Sequence, residues 1–472
     1  MATAFPDHPM LKGVFAPVQV EGESCDLPVL GEVPVALNGT LFRNGPNPQF
    51  APRGPYHWFT GDGMIHAFRF DEGRVRYRNR WLRTPKFVAE RDAGRALFGA
   101  FGNPAHTDPS ATGLDFGLAN THVVHHAGHT LALEESHLPF AFDPATLDSI
   151  GYHDFGGLPH GIEGRFTAHP KLDPLTGEMW GYSYSGSGIF GTGMSLIVVG
   201  ADGRLRRRDR FEAPYCAFVH DFLLTDRHVV LPVLPVVGSM ARARAGGPAY
   251  AWEEGRPGYL GVVARDAPIE TMRWFEVEPC FVFHVFNARS EGGRVICDVM
   301  RNSRASVFPD PEGRMPGPDL DMPVPVRWTL DLDAPTDLVR AERIADRPGE
   351  FPRCDDRYTG RLYRHAFHAL GNPARRGGGS AFTGLVHLDL ATGRDAAWET
   401  PEGDALSEAV FVPASPTAAE GQGWLLAIQY LGRDNRSDLL VFDAQDVAHG
   451  PLARVMLSHR VPAGFHGSWL PH

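Results

Sequence analysis

The sequence predicts an all-β propeller, and three observations carry that expectation. Short strand-like runs separated by turn residues recur along the whole 472-residue chain. Glycine (53) and proline (40) together make up roughly a fifth of the chain, where about 12% is usual. Four histidines, far apart in sequence, each sit inside an apolar or aromatic stretch. So many hairpins need a closed or radial arrangement to avoid exposed sheet edges, which favours a propeller over a sandwich.

The hairpins follow one another in order. They are AFRFDEGRVRYRNRW (67–81), PFAFDPATLDSIG (139–151), HPKLDPLTGEMWGYSYS (169–185), IVVGADGRLRRR (197–208) and LVHLDLATGRDAAWE (385–399). Each pairs alternating apolar residues with an Asp beside Gly, Pro or Thr, residues that tolerate turn dihedrals. The repeat is too degenerate to count blades. Two loop-rich insertions, 88–120 and 232–260, are expected to form helices or a cap over one face of the propeller. No low-complexity linker interrupts the chain, so residues 1–472 read as a single domain.

Composition narrows the function. A hydrophobic content of 43% is ample for a large core. The net charge of −11, with no basic stripe, argues against a nucleic-acid partner. It also disfavours attraction to anionic lipid, and nothing indicates membrane contact or an oligomeric state. Lysine occurs only at Lys12, Lys86 and Lys171 while arginine is abundant, the mark of a coding bias. The cysteines (Cys25, Cys216, Cys280, Cys297 and Cys354) are scattered, with no C-x-x-C pair. Reduced thiols in the cytoplasm fit that pattern. The opening residues MATAFPDHPMLKG lack the basic-then-apolar pattern of a signal peptide, and no apolar run reaches the roughly 18 residues that span a bilayer.

The four histidines are His169 in TAHPKLDP (167–174), His220 in YCAFVHDF (215–222), His284 in FVFHVFNA (281–288) and His466 in GFHGSW (464–469). Burying an imidazole is costly unless both nitrogens find partners. A core histidine satisfied by hydrogen bonds accounts for one such case, but a shared metal ion accounts for four. The inner strands of a propeller point to one axis, so ligands from separate blades can meet there. Helix-borne zinc motifs such as H-E-x-x-H are absent. Four neutral imidazoles suit divalent iron, nickel, copper or zinc, and they leave octahedral positions open for redox chemistry. The rival pairs His122 with His125 and His365 with His368 have i, i+3 spacing, which on a strand points the two rings to opposite faces. Metal-bound imidazoles usually donate their outer N–H to a carboxylate. Glu135, Glu350 and Glu408 lie in apolar settings suited to that role, although each taken alone reads equally as a surface or ion-paired glutamate.

These stretches, together with NGTLFRNGPNP (38–48), HWFTGDGMIHAFRF (57–70), EFPRCDDRYTGRLYR (350–364) and SEAVFVP (407–413), resemble the carotenoid cleavage oxygenase family. The resemblance covers nearly the whole chain. It implies a seven-bladed propeller with a helical and loop cap over the metal face. It also implies a non-heme Fe(II) held by His169, His220, His284 and His466, with Glu135, Glu350 and Glu408 behind the rings. The implied reaction is scission of an interior C=C bond by O2 to two carbonyl products. The cap segments 95–110 and 238–255 are similar to those of the bacterial lignostilbene and isoeugenol-cleaving branch, which points to a stilbenoid or phenylpropenoid substrate. In that branch Thr121 matches a residue near an open iron position, and Phe59 matches an aromatic that packs on the substrate ring. The chain departs from it at two substrate-binding positions, with Phe101 in place of a tyrosine and Glu134 in place of a lysine. Phenylalanine cannot hydrogen-bond, and a glutamate cannot stabilise a phenolate. Glu134 can accept a bond from a neutral phenol; alternatively the substrate lacks the phenol, as an apocarotenoid does. Two other classes remain open: a non-catalytic protein that binds an apolar ligand, and a propeller hydrolase, although no G-x-S-x-G elbow occurs.

Overall fold

The hairpins foreseen in the sequence form because their turns supply left-handed backbone where it is needed. Asp71 pairs with Arg74 across a two-residue loop in which Glu72 (φ 49°) and Gly73 (φ 77°) both have positive φ. That is the turn whose twist matches the flanking strands. Ala127 and Gly128 do the same between His126 and His129. The computed structural model describes residues 4–103, 105–317 and 321–472. Pro104, within the expected cap, lies outside the described residues.

Seven sheets of four or five strands and one two-stranded ribbon, Val236–Gly238 with Tyr250–Trp252, make a seven-bladed β-propeller. In one blade the C-terminal strand Gly467–Pro471 pairs antiparallel with Gly39–Pro46, so the chain's end completes a sheet begun near its start. The chain divides into two compact units. One comprises Met1–His153, Asn372–Leu385 and Ala396–His472. Its core includes Leu41, Phe68, Phe70, Leu439 and Val441, alternate residues turned inward from their strands. The other comprises Asp154–Gly371 and Val386–Asp395, with a core that includes Tyr182, Leu196, Phe222, Leu231 and Val233.

Among the described residues there are two α-helices, and both touch the insertions read as cap. The first, α1 (Pro85–Ala93), opens on a Thr84 side chain that accepts from the Phe87 N–H. Proline sits at its first turn, and Gly94 in left-handed conformation ends it. The second, α2 (Met240–Arg244), is capped by Ser239. No helix among the described residues is long and apolar enough to cross a membrane.

The core also holds histidines outside the metal group. Burial pushes the imidazoles of His66 and His368 down to about 3 and that of His125 to about 4. His368 is 2% exposed, and neither of its nitrogens has a hydrogen-bond partner in the structure. These groups fold neutral, while in the unfolded chain they take up protons below their ordinary value near 6.5. Their contribution is intact above pH 6.5 and is lost as pH falls from there towards 4 and 3. Thermal melts followed by circular dichroism should therefore show Tm dropping steadily below pH 6.5. The drop should be shallower in a His368→Phe variant, and an equal slope in the two proteins would contradict this assignment.

Candidate metal centre

Each of the four histidines lies in, or just before, the edge strand of a different sheet. His169 precedes Lys171–Leu172, His220 precedes Leu223–Leu224, His284 lies in Phe281–Glu291, and His466 immediately precedes Gly467–Pro471. The ligand nitrogens of His169, His220, His284 and His466 all lie within 4.8 Å of one another. This is the one group of three or more such side chains found among the described residues.

The ring nitrogens fit a cation. The Nε2 atom of His220 lies 3.1 Å from that of His169 and 3.2 Å from that of His284. The Nδ1 of His284 is 2.6 Å from Glu350 Oε2, which puts the proton on Nδ1 and the lone pair on Nε2. His466 is set the same way, with Nδ1 2.9 Å from Glu408 Oε1. Lone pairs turned towards one point in a buried site repel unless a cation lies between them.

Both carboxylates are anchored by more than the histidine. Glu408 Oε2 accepts from Arg43 Nη1 at 2.6 Å and from the Gly467 N–H at 2.9 Å, and the Glu408 and Arg43 side chains are 1% and 4% exposed. Glu350 Oε2 also accepts from the Phe351 N–H, and the Phe351 ring stacks on His284 at 5.4 Å. Phe351 has φ 58°, an uncommon conformation for phenylalanine, held here beside the site. Near these residues the ladders shift register between Val282 and Val285, between Glu350 and Arg353, and between Leu406 and Ala409. These intervals contain or begin at His284, Glu350 and Glu408. Bulges of this kind re-aim side chains next to active sites.

Lys171 and Asp221 were not singled out in the sequence, yet they tie three ligand-bearing segments together. Lys171 Nζ lies 2.7 Å from Asp221 Oδ1, and Asp221 Oδ2 accepts from the Val285 N–H at 3.1 Å. Their signal was adjacency, since Asp221 follows one ligand and Lys171 lies two residues after another. Arg43 was also missed; a charged residue in the fully buried strand Gly39–Pro46 was its cue.

The other sequence candidates are placed as follows. Thr121 meets the site through its backbone, because its carbonyl accepts from the His466 N–H at 3.1 Å. Glu135, half buried, lies in the bend after His129–Leu133. Phe59 and Phe101 belong to a row of rings. Phe101 lies 4.9 Å from His57, His57 lies 4.6 Å from Phe59, and Phe59 lies 5.5 Å from Phe465, the neighbour of His466. Glu134 is buried and lines a cleft together with Phe101. Of the rival histidines, His125 pairs with Thr130 Oγ1 at 3.1 Å and His365 with His387 at 2.9 Å, while the His122 ring lies 5.4 Å from that of His466 and His368 is buried without a hydrogen-bond partner among the described residues.

Four imidazoles on separate blades, two of them held by buried carboxylates, form an all-histidine cluster suited to a metal ion. The chain belongs to the retinal pigment epithelial membrane protein (RPE65) family, whose members include the carotenoid cleavage oxygenases; the family matches residues 15–471. It is 36% identical to the isoeugenol monooxygenase of Pseudomonas nitroreducens, with all of both chains covered. It is also 36% identical to the lignostilbene-α,β-dioxygenase isozyme III of Sphingomonas paucimobilis, covering 98% of this chain and 97% of that one. The crystal structure of Pseudomonas brassicacearum lignostilbene dioxygenase matches with a TM-score of 0.95 at 36% identity, covering 100% of each chain. A Synechocystis apocarotenoid oxygenase variant matches with a TM-score of 0.86 at 27% identity, covering 99% of each.

Replacing Glu350 by glutamine should weaken metal binding by about 10- to 100-fold, because the amide no longer holds His284 as its anionic partner did. Replacing Glu408 by alanine should do the same and also cost about 3–5 kcal/mol of stability, since Arg43 is left buried without its partner. Metal titration and chemical denaturation of both variants check this; undiminished affinity in both would contradict the assigned anchoring.

Proposed function

We propose that this chain is a non-heme Fe(II) dioxygenase that cleaves an interior C=C bond of a conjugated aryl olefin, of stilbenoid or phenylpropenoid type, to two carbonyl products. The observation that carries this reading is the four-histidine group, in a chain matched end to end by oxygenases of such olefins. The donor set is neutral imidazole without thiolate, which suits a divalent redox metal better than a closed structural zinc. Iron bound by His169, His220, His284 and His466 would supply the electrons and the open positions at which O2 is activated.

The chain's own residues do the rest. Glu350 and Glu408 fix the tautomers of His284 and His466, and Glu135 is assigned the same duty towards another ring. Thr121, whose carbonyl accepts from the His466 N–H, would border an open position of the bound iron. Phe59 and Phe101 supply apolar faces that hold an aryl olefin in register and keep water from the reacting bond. No acid or base is required at the olefin. Residues 1–472 act as one catalytic domain, with 88–120 and 232–260 as its cap. A cytoplasmic location accords with five cysteines that all carry free thiols.

An apocarotenoid is the second substrate class, favoured by the 36% identity to a Mycobacterium tuberculosis carotenoid cleavage oxygenase over 98% of both chains. A ligand-binding protein without turnover is the reading from another class.

Anaerobic loading with Fe(II), followed by a hydroxystilbene and isotopically labelled O2, separates these. The expected result is one labelled oxygen in each of two aldehydes, and loss of turnover when the metal is chelated and removed. Olefin that binds and is recovered unchanged would overturn the enzymatic reading, and undiminished cleavage by metal-free protein would overturn the metal's part in it.

A further inference from the structure

Two of the four clustered histidines lie on backbone outside any β-ladder. His169 sits in a bend before the strand Lys171–Leu172, and His220 and Asp221 form an irregular stretch before Leu223–Leu224. Irregular segments open more readily than strand interiors. Yet the Nε2 atom of His220 is 3.1 Å from that of His169 and 3.2 Å from that of His284. Nitrogens that share a cation at about 2.1 Å each, about 90° apart, stand about 3 Å from one another. The three rings are therefore held at the spacing of common ligands. A single ring N–H on His220 can relieve one of those two close approaches but not both. The hold has to come from the chain around the rings.

Asp221 supplies it. Its Oδ1 lies 2.7 Å from Lys171 Nζ and accepts from the Phe222 N–H at 2.8 Å. Its Oδ2 accepts from the Val285 N–H at 3.1 Å. Asp221 thus follows one histidine directly, reaches Lys171 two residues beyond the second, and takes the backbone N–H next to the third. The three belong to three different sheets. The residues that approach through their rings are joined again through their neighbours.

The contacts are those of a built device. The Asp221 side chain is 3% exposed and that of Lys171 is 20% exposed. A carboxylate so buried is costly unless it is paired and hydrogen-bonded, and both oxygens of Asp221 are engaged. Lys171 Nζ also stands 5.8 Å over the Phe222 ring. Phe218 lies parallel to the His220 ring at 5.8 Å and Phe283 meets it edge-on at 5.5 Å. The aromatic rings limit how the imidazole can turn, and Asp221 fixes where its backbone stands.

We propose that Lys171 and Asp221 are positioning residues of the metal centre, whose ion pair locks the segments bearing His169, His220 and His284 at ligand spacing before the ion arrives. Glu350 and Glu408 act on imidazole nitrogens; this pair acts on the chain beside the rings. The proposal rests on the metal-binding part of the reading above and is independent of the substrate.

The test measures Fe(II) affinity of the full-length protein anaerobically by chelator competition. Co(II) d–d absorption is recorded as a probe of ligand geometry, and chemical denaturation of the metal-free protein is followed alongside. Lys171→Met and Asp221→Asn should each weaken Fe(II) binding about 10-fold or more, the scale for groups that hold metal ligands in place. Both should alter the Co(II) spectrum. The double variant should be no worse than the singles, because the two side chains act as one unit. Lys171→Arg keeps the cation and should bind Fe(II) nearly as the unaltered protein does. Arg327 and Asp298 provide the comparison, since they form another buried pair, at 2.7 Å, between two strands further out in the sheet of His284. Arg327→Met should lower stability and leave Fe(II) affinity and the Co(II) spectrum unchanged. Unchanged affinity and spectrum in Lys171→Met, or an equal loss of affinity in Arg327→Met, would overturn the proposal. Unaltered protein that binds no Fe(II) would overturn the metal reading and this proposal together. Affinities that fall as expected in a protein that cleaves no olefin would support the positioning role while the reaction reading fails.

Discussion

The structure depends above all on a buried carboxylate–imidazole contact. Glu350 on His284 and Glu408 on His466 each put the ring proton on Nδ1, and so leave Nε2 as a lone pair facing inward. A histidine left to itself would choose whichever tautomer its surroundings favoured. The carboxylates remove that choice before any metal arrives. Their charges are costly to bury, and the fold offsets that cost locally through Arg43 and backbone N–H groups for Glu408, and through the Phe351 N–H for Glu350.

This explains why irregular backbone gathers near the site. A strict β-ladder alternates its side chains between two faces, which cannot place His284, Glu350 and Glu408 as the centre requires. The register shifts beside these residues, and the positive φ of Phe351, are how the strands depart from that alternation. The propeller then does what a single sheet cannot. It brings edge strands that are remote in sequence to one place, each contributing one ring.

Much of this could be read from the sequence, for identifiable reasons. Hairpins were visible because Asp-Gly and related turns separate strands of period two, as at Glu72–Gly73. The four clustered histidines were visible because imidazole is out of place in runs such as FVFHVFNA. Glu350 and Glu408 stood out as charges in apolar strands. The blade count could not be read, because the repeats share geometry rather than residues. Arg43, Lys171 and Asp221 escaped because their roles are set by pairing across tens or hundreds of residues.

The most direct measurement of the central claim is X-ray absorption at the iron edge of protein reconstituted with one equivalent of Fe(II). The account expects a single class of site with four imidazole nitrogens, and loss of one imidazole's multiple-scattering signal in a His284→Ala variant. Iron bound mainly through oxygen donors, or a spectrum unchanged by that substitution, would contradict it.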